Sequence, residues 1–557
     1  MKFGKFGDIP YKRVETAEYR KDMEDIMRRF SAAGSGEEQF RVHEEYYKLN
    51  DHMMTENTLS SIRHSIDVTD EFYEKENDYW DTALPEISSI QLEYMKLMYS
   101  SPYRAYLEEK IGPVAFRNIE IAQKAMNEKI IPLMQENNSL VSRYDKLLAN
   151  ARIDWHGDVL NLSLLHPYMT GADRSVRKEA WEKHTAFFES NAEELDEIFD
   201  ALVRNRTAQA RAMGYKDFVE LGYYRMNRNS YTRREIDELR SMVKKDFVPF
   251  AEKMHEERRK RIGVAKLAYY DEGVYFEDGN PKPSGTPEEI LRGGQEMYAG
   301  LSTETKEFMD FMMEHDLFDV LGRKTKETGG YMTFLPDYNA PFIFANFNGS
   351  SSDVDVITHE CGHAFQGYLA AKDPIREHAD ITMDTAEIHS MSMEFFTEPD
   401  MELFFGEDAE RYRIMHLEDA IAFVPYGTMV DEFQHIVYEN PGLTPAERNA
   451  AWADLEKKYR PHQDYSGSKY LMDGGFWQKQ HHIYDYPFYY IDYVLSQLCA
   501  FQYRIWMKKD YREAFESYLG LCRLSASEFY PDMLHSVGLK VPYEDGTIKA
   551  VTDELLA

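Results

Sequence analysis

Apolar residues recur at helical spacing along most of this chain. Ile87, Ile90 and Tyr94, for example, fall on one face of a helix, and similar amphipathic patterns run through residues 15–150 and 172–261. The connections between these segments are short. Because 557 residues exceed what one hydrophobic core usually takes, we predict two or more lobes of mainly α-helical structure.

The pattern becomes extended and aromatic between residues 329 and 348. The residues that give it this character are Tyr331, Phe334, Tyr338, Pro341, Phe342, Ile343, Phe344 and Phe347. Aromatic residues at this density favour extended structure, so the stretch predicts a short strand or hairpin. A small β-sheet is therefore expected beside the helix that follows.

Helical spacing returns over residues 354–369. One side of this predicted helix carries an apolar stripe, formed by Ile357, Cys361, Ala364 and Tyr368. His359 and His363 lie off the stripe and four residues apart, so both imidazoles can reach a single cation. Glu360 stands beside the first imidazole, where a carboxylate can take a proton from a metal-activated water. The segment therefore predicts one face of a catalytic zinc site.

Such a site needs a third protein ligand and one open position. The metzincin pattern is excluded, because Gln366 and Leu369 stand where it requires Gly and His. The third ligand must therefore lie further along the chain. Composition alone leaves open Glu377, His378, Asp380, Asp384, Glu387, His389 and Glu394.

A further helical pattern runs from Asp384 to Phe396. Within it Glu387, Ser390 and Glu394 share one face, at spacings of three and four residues. One carboxylate could bind the metal while the other orients a histidine that binds it, a partnership that zinc sites usually require.

Together, these two segments resemble the thimet oligopeptidase family, and within it the bacterial oligoendopeptidase F and Pz-peptidase branch. The resemblance rests on the stretches His359–Phe365 and Glu387–Glu394. It implies that Glu387 is the third zinc ligand, that Glu394 is the supporting carboxylate, and that one zinc ion is bound per chain.

Members of that family enclose the zinc in a deep channel between two mostly helical lobes. The resemblance thus implies a mainly α fold with a substrate channel, a small β-sheet beside the zinc helix, and short unfolded peptides as substrates. We assign residues 1–165 to an N-terminal helical lobe and residues 166–557 to the catalytic region.

Residues 481–496 are rich in groups that can stabilise an oxyanion. They contain five tyrosines and two histidines, and neutral O–H or N–H donors of this kind lower the barrier of peptide hydrolysis when aimed at the developing charge. Spacing alone does not separate these side chains from an aromatic helix packed in a core.

Alignment of this segment with the family pattern assigns roles to these histidines and tyrosines by resemblance. It implies that His481, Tyr486 and Tyr490 face the zinc, with Tyr490 as the main oxyanion donor, and that Tyr493 binds substrate. Relatives have a glycine-rich loop after the histidine where this chain has no glycine, so the register leaves His481 and His482 open.

Composition narrows the classes of partner. The net charge of −33, from 98 acidic and 65 basic residues, would repel a phosphate backbone and argues against nucleic acid. Three cysteines are too few for a disulfide framework, and neither a signal-peptide core nor a bilayer-spanning apolar run is evident. We therefore expect a cytoplasmic protein without a membrane partner, and we infer no obligate protein partner.

These observations predict a zinc metalloendopeptidase that hydrolyses short oligopeptides with a metal-activated water. One alternative is a carboxypeptidase or dipeptidyl carboxypeptidase on the same scaffold, which would need a cationic pocket for the substrate's C-terminal carboxylate. Another is a non-catalytic peptide-binding protein. The presence of a residue for every catalytic role argues against the latter.

Overall fold

Helices dominate the structure. The computed structural model describes residues 4–323, 325–327 and 329–556. In chain order the α-helices are α1 (Thr16–Ala32), α2 (Gly36–Ile66), α3 (Glu71–Tyr99), α4 (Arg104–Ile111), α5 (Pro113–Ala125), α6 (Ile131–Ala149), α7 (Leu162–Met169), α8 (Arg174–Ala212), α9 (Phe218–Arg225), α10 (Arg233–Met242), α11 (Val248–Arg261), α12 (Pro287–Leu301), α13 (Thr303–Glu314), α14 (Ser352–Ala370), α15 (Met383–Phe396), α16 (Glu402–Phe405), α17 (Ala409–Glu439), α18 (Pro445–Tyr459), α19 (Lys469–Met472), α20 (His481–Tyr484), α21 (Tyr490–Lys509), α22 (Tyr511–Leu524), α23 (Tyr530–Ser536) and α24 (Thr547–Glu554).

Strands are few and short. They are β1 (Ile153–Trp155), β2 (Asp158–Leu160), β3 (Phe318–Leu321), β4 (Tyr331–Leu335) and β5 (Ala340–Phe347). The predicted mainly α fold with small β-sheets is therefore confirmed. Among the described residues, no helix combines the length and the apolar character that crossing a bilayer requires.

The chain forms two compact units, each assembled from separate stretches of sequence. The first unit comprises Met1–Gln123, Lys282–Ala409 and Gln502–Leu539. The second comprises Lys124–Pro281, Glu410–Phe501 and Lys540–Ala557. The assignment of residues 1–165 and 166–557 to separate regions concerns chain order, and it stays a prediction.

In the first unit, strands β3, β4 and β5 form one sheet in the order β3-β5-β4. β4 runs antiparallel to β5, with Tyr331 opposite Phe344 and Leu335 opposite Ala340, and β3 runs parallel to β5. Residues 340–345 of the central strand are buried, as expected for a strand covered on both faces. The aromatic stretch thus forms the predicted hairpin, and its second strand leads into α14.

The start of α14 is held by its own first turn. The Asp353 carboxylate accepts hydrogen bonds from the backbone N–H groups of Asn348 (2.9 Å) and Gly349 (2.7 Å) in the turn that follows β5. Further along, the Tyr298 hydroxyl of α12 donates to the Ile357 carbonyl at 3.0 Å. These contacts join α14 to both the sheet and α12.

α14 and α15 touch through their backbones at Gly362. A Cβ atom at this position would lie 2.7 Å from the Ser390 Cα and 2.8 Å from the His389 carbonyl oxygen. No L-residue with a side chain fits such a space without displacing backbone, because real Cβ contacts of that length do not occur. Gly362 therefore sets the separation of the two helices.

We expect Gly362→Ala to destabilise the protein by about 1–3 kcal/mol, since the added methyl group overpacks a backbone contact. The measurement is the thermal unfolding midpoint at a fixed scan rate. Gly300→Ala in α12 is the matched control, because a Cβ there meets no atom within 4 Å. Equal midpoints for the two variants would contradict a close backbone contact at Gly362.

Candidate metal centre

Three side chains of the first unit converge on one point. Ligand atoms of His359, His363 and Glu387 all lie within 4.8 Å of one another. Glu387 Oε2 is 3.5 Å from His359 Nε2 and 3.4 Å from His363 Nε2. A tetrahedral zinc ion with bonds of about 2.0–2.2 Å holds its ligands about 3.4 Å apart. Both the spacing and the donor set of two imidazoles and a carboxylate therefore fit one zinc ion.

The helices account for this convergence. His359 and His363 are one turn apart on α14, and their rings lie 5.0 Å apart at an interplanar angle of 83°. Glu387 lies in the second turn of α15, close to where Gly362 allows the two backbones to meet. The carboxylate consequently reaches both imidazoles from the neighbouring helix.

Glu394 supports the first of these histidines. Its Oε1 lies 2.6 Å from His359 Nδ1, on the opposite side of the ring from Glu387. When the carboxylate accepts the Nδ1–H proton, the imidazole presents an unprotonated Nε2 toward Glu387 and a metal. The pair of carboxylates on α15 thus holds the ring from both ends.

Burial and charge act against each other at this cluster. Burial raises the pKa of the Glu387 carboxyl group, but the adjacent imidazoles of His363 and His359 outweigh it and hold that pKa well below its ordinary value. Burial by itself would lower the pKa of His359. The hydrogen bonds of His359 to Glu387 and Glu394 outweigh burial and raise that pKa. The cluster therefore keeps an anionic carboxylate in a buried position.

Glu360 is half-buried on the same helix, next to His359. Among the described residues, no side chain or backbone group donates a hydrogen bond to its carboxylate. The Glu360 carboxylate is therefore free to accept a proton.

Ser390 has a position that the sequence analysis did not interpret. Its hydroxyl lies 3.1 Å from Glu387 Oε2, the same oxygen that faces both histidines. The spacing of three residues on one helix was the available signal. Tyr518 of α22, whose hydroxyl donates to the His389 carbonyl at 2.9 Å, is remote in sequence and offered no signal.

The other candidates for a third ligand have different partners. Glu377 lies 2.7 Å from His43 Nε2 and also accepts a hydrogen bond from the Tyr47 hydroxyl. His378 Nδ1 lies 2.7 Å from an Asp373 oxygen. The remaining candidates, apart from Glu394, are absent from the cluster that His359 and His363 form; they are Asp380, Asp384 and His389.

The tyrosine-rich segment belongs to the second unit. The His482 ring lies 4.8 Å from the Tyr490 ring and 5.9 Å from the Tyr493 ring, and the two tyrosines are 5.7 Å apart. Gln480 donates from its amide nitrogen to His482 Nδ1 at 2.9 Å and accepts from the Tyr426 hydroxyl at 2.8 Å. We call these five residues the tyrosine cluster.

His481 and Tyr486 lie outside the tyrosine cluster. The His481 side chain is 53% exposed, and its Nδ1 is 3.6 Å from carboxylate oxygens of both Asp145 and Asp485. These two nearby carboxylates, chiefly that of Asp145, raise the pKa of His481 to about 9. Tyr486 is 64% exposed. Of the two histidines that the sequence register left open, it is His482 that contacts Tyr490 and Tyr493.

Two protein-family models match this chain. The model of the Peptidase M3 N-terminal domain matches residues 6–126, and that of Peptidase family M3 matches residues 168–551, more than half of the chain. In overall structure, the chain is similar to Pz peptidase A with a bound inhibitor, with a TM-score of 0.94, 44% identity and coverage of 99% of this chain and 98% of that one.

Two curated relatives are more distant in sequence. Group B oligopeptidase PepB of Streptococcus agalactiae serotype III (strain NEM316) is 22% identical over 400 residues, which are 70% of this chain and 63% of PepB. The match thus spans less than two thirds of that relative. The oligoendopeptidase F homolog of Borreliella burgdorferi is 20% identical over 452 residues, 75% of this chain and 72% of that protein. The predicted likeness to the oligoendopeptidase F and Pz-peptidase branch is confirmed, and the chain is a member of peptidase family M3, an enzyme family of oligopeptidases.

Proposed function

We propose that this protein is a zinc-dependent endopeptidase that hydrolyses short oligopeptides. The observation that carries the proposal is the convergence of His359, His363 and Glu387 at the spacing of a tetrahedral ion. Membership of peptidase family M3 supports a peptide as the substrate.

His359, His363 and Glu387 would hold one zinc ion per chain. When bound, zinc supplies Lewis-acid chemistry, which makes a water more acidic and polarises the peptide carbonyl. Glu394 keeps His359 in the tautomer that leaves Nε2 free to bind. Ser390 donates to the Glu387 carboxylate and so restricts the orientation of that ligand.

Glu360 has the role of general base. Its carboxylate takes the proton of the attacking water and then delivers it to the leaving amine, so that one group serves both proton transfers. A half-buried carboxylate that no described group holds by a hydrogen bond is suited to this exchange.

Tyr490 has the role of oxyanion donor in this proposal, following the family resemblance. Burial raises the pKa of its hydroxyl well above the ordinary value, so the group keeps its proton and can donate it in a hydrogen bond. Because His482 contacts Tyr490, we assign the assisting histidine to His482 in place of His481. Tyr493, in the same tyrosine cluster, would bind substrate, and the exposed Tyr486 would contribute less.

We expect Glu360→Gln to retain one zinc ion per chain while kcat falls by about 10²–10⁴-fold, because the ligands remain and the general base is lost. Metal analysis and cleavage of an internally quenched peptide measure the two properties. Glu407→Gln, an exposed carboxylate in the same unit, is the control. Wild-type turnover by the Glu360 variant would refute this mechanism.

Substitution of the adjacent histidines separates their roles. His482→Ala should lower kcat by about 10²-fold, the usual effect of weakening an oxyanion donor, whereas His481→Ala should have a much smaller effect. Tyr490→Phe is the companion variant, and its loss should not add to that of His482→Ala if both act on one oxyanion. A larger loss of kcat for His481→Ala than for His482→Ala would assign the assisting role to His481, as the family resemblance implies.

Product analysis distinguishes the endopeptidase from its alternatives. An endopeptidase should cut a quenched peptide of about ten residues at an internal bond, with activity abolished by a chelator and restored by zinc. Release of single C-terminal residues or dipeptides would identify an exopeptidase. Tight peptide binding by zinc-loaded protein without any cleavage would identify a non-catalytic binding protein.

A further inference from the structure

Lys479 is half-buried, and among the described residues no carboxylate forms an ion pair with its ammonium group. It ends a short 3-10 turn, Gly475–Lys479, in the second unit. Its Nζ lies 4.1 Å from the centroid of the Phe476 ring and 6.0 Å from that of Tyr426. Aromatic faces attract a cation, but they accept none of the three hydrogen bonds that an ammonium group can donate.

The nearby carboxylates act on this ammonium from a distance and compensate its charge only in part. The Glu272 carboxylate is paired with the Arg460 guanidinium. Burial raises the pKa of Glu456 to about 7, so that carboxyl group is only partly charged near neutral pH. Burial and the charge of Lys479 lower the pKa of His184 to about 3, which leaves that imidazole neutral. The group around Lys479 therefore carries excess positive charge within an acidic protein.

Because Lys479 is partly buried, water compensates its excess positive charge less than it would at the surface. Loss of water around the ammonium lowers the pKa of Lys479, because the charged form is the one that burial disfavours. An anion that supplies hydrogen-bond acceptors would replace the lost hydration and stabilise the charge. A single ammonium framed by aromatic faces suits a carboxylate attached to a partly apolar chain.

Lys479 is also next to the tyrosine cluster. Tyr426, a member of that cluster, has its ring 6.0 Å from the ammonium and 5.9 Å from the Tyr490 ring. Gln480, the residue after Lys479, bonds to Tyr426 and His482 at once. An extended peptide rises about 3.3 Å per residue, so about four residues would cover the greatest separation of Lys479 and Tyr490 that these two contacts allow.

We propose that Lys479 is an anion subsite that binds a carboxylate of the peptide substrate within about four residues of the scissile bond. The carboxylate is either the free C-terminus or the side chain of Asp or Glu, because both present the same acceptor atoms. The position relative to the scissile bond rests on the proposed peptidase function. Binding of the carboxylate by Lys479 does not depend on that function.

The test compares one peptide as its C-terminal acid and as its carboxamide. Zinc-loaded wild-type protein should show kcat/KM about 10-fold or more higher for the acid, the usual worth of a hydrogen bond to a charged group. In Lys479→Met the acid-to-amide ratio should fall to about one. Lys469→Met, which removes a lysine that is 79% exposed in the same unit, should keep the wild-type ratio.

Further peptides identify the source of the carboxylate. An amidated series with Asp or Asn at successive positions should show a Lys479-dependent preference for Asp if a side chain is bound, which supports the subsite equally well. Lys479→Arg should retain part of the preference, since it keeps the charge, and this guards against loss of structure in the Met variant. Wild-type ratios near one in both series, or ratios unchanged in Lys479→Met, would overturn the proposal.

A binding measurement separates this inference from the proposed function. Calorimetric titration of the acid and amide peptides into zinc-loaded Glu360→Gln, with and without Lys479→Met, requires no turnover. If wild-type protein cleaves neither peptide, the peptidase proposal fails while the titration still decides on the subsite. Tighter binding of the acid that disappears with Lys479→Met supports it, and equal binding of acid and amide refutes it.

Discussion

The candidate metal centre depends on the close approach of two helix backbones at Gly362. A side chain there would meet the Ser390 Cα and the His389 carbonyl oxygen at less than 3 Å, so glycine is what allows α14 and α15 to touch. Helices that pack through ordinary side chains lie about 8–10 Å apart. At a greater separation, Glu387 would no longer reach both His359 and His363 at about one tetrahedral edge. The smallest residue of the motif thus sets the distance on which its ligands depend.

The short distances between Glu387 and the two histidines also offset the electrostatic cost of burying the Glu387 carboxylate. An isolated buried carboxylate would be expensive, and Glu387 is 4% exposed. The two imidazoles and the Ser390 hydroxyl offset that cost and keep the carboxylate charged. Glu394 completes the arrangement from the far side of His359. The two histidines and the two carboxylates therefore stabilise one another in a geometry that also suits a cation.

Spacing along a helix made part of this site predictable. The i and i+4 positions of His359 and His363, and the seven-residue interval from Glu387 to Glu394, follow directly from helical periodicity. The choice of Glu387 among seven possible third ligands did not follow from periodicity and required the family resemblance. In the structure Glu377 is held by His43 and Tyr47, which lie on a helix more than 300 residues earlier. Such long-range partners cannot be read from local patterns.

The sequence by itself determined the helical character, the aromatic hairpin before α14 and the candidate metal-binding motif, because each arises from residues close together in the chain. Only the tertiary structure decided which side chains share a surface. His481 and His482 are adjacent, yet about 100° of helical rotation separates their directions, and only His482 contacts Tyr490. Likewise, only folding brings the Lys479 ammonium within 6.0 Å of the Tyr426 ring and pairs the nearby carboxylate of Glu272 with Arg460. Periodicity specifies a face of one element, whereas the partners of that face depend on how distant elements pack.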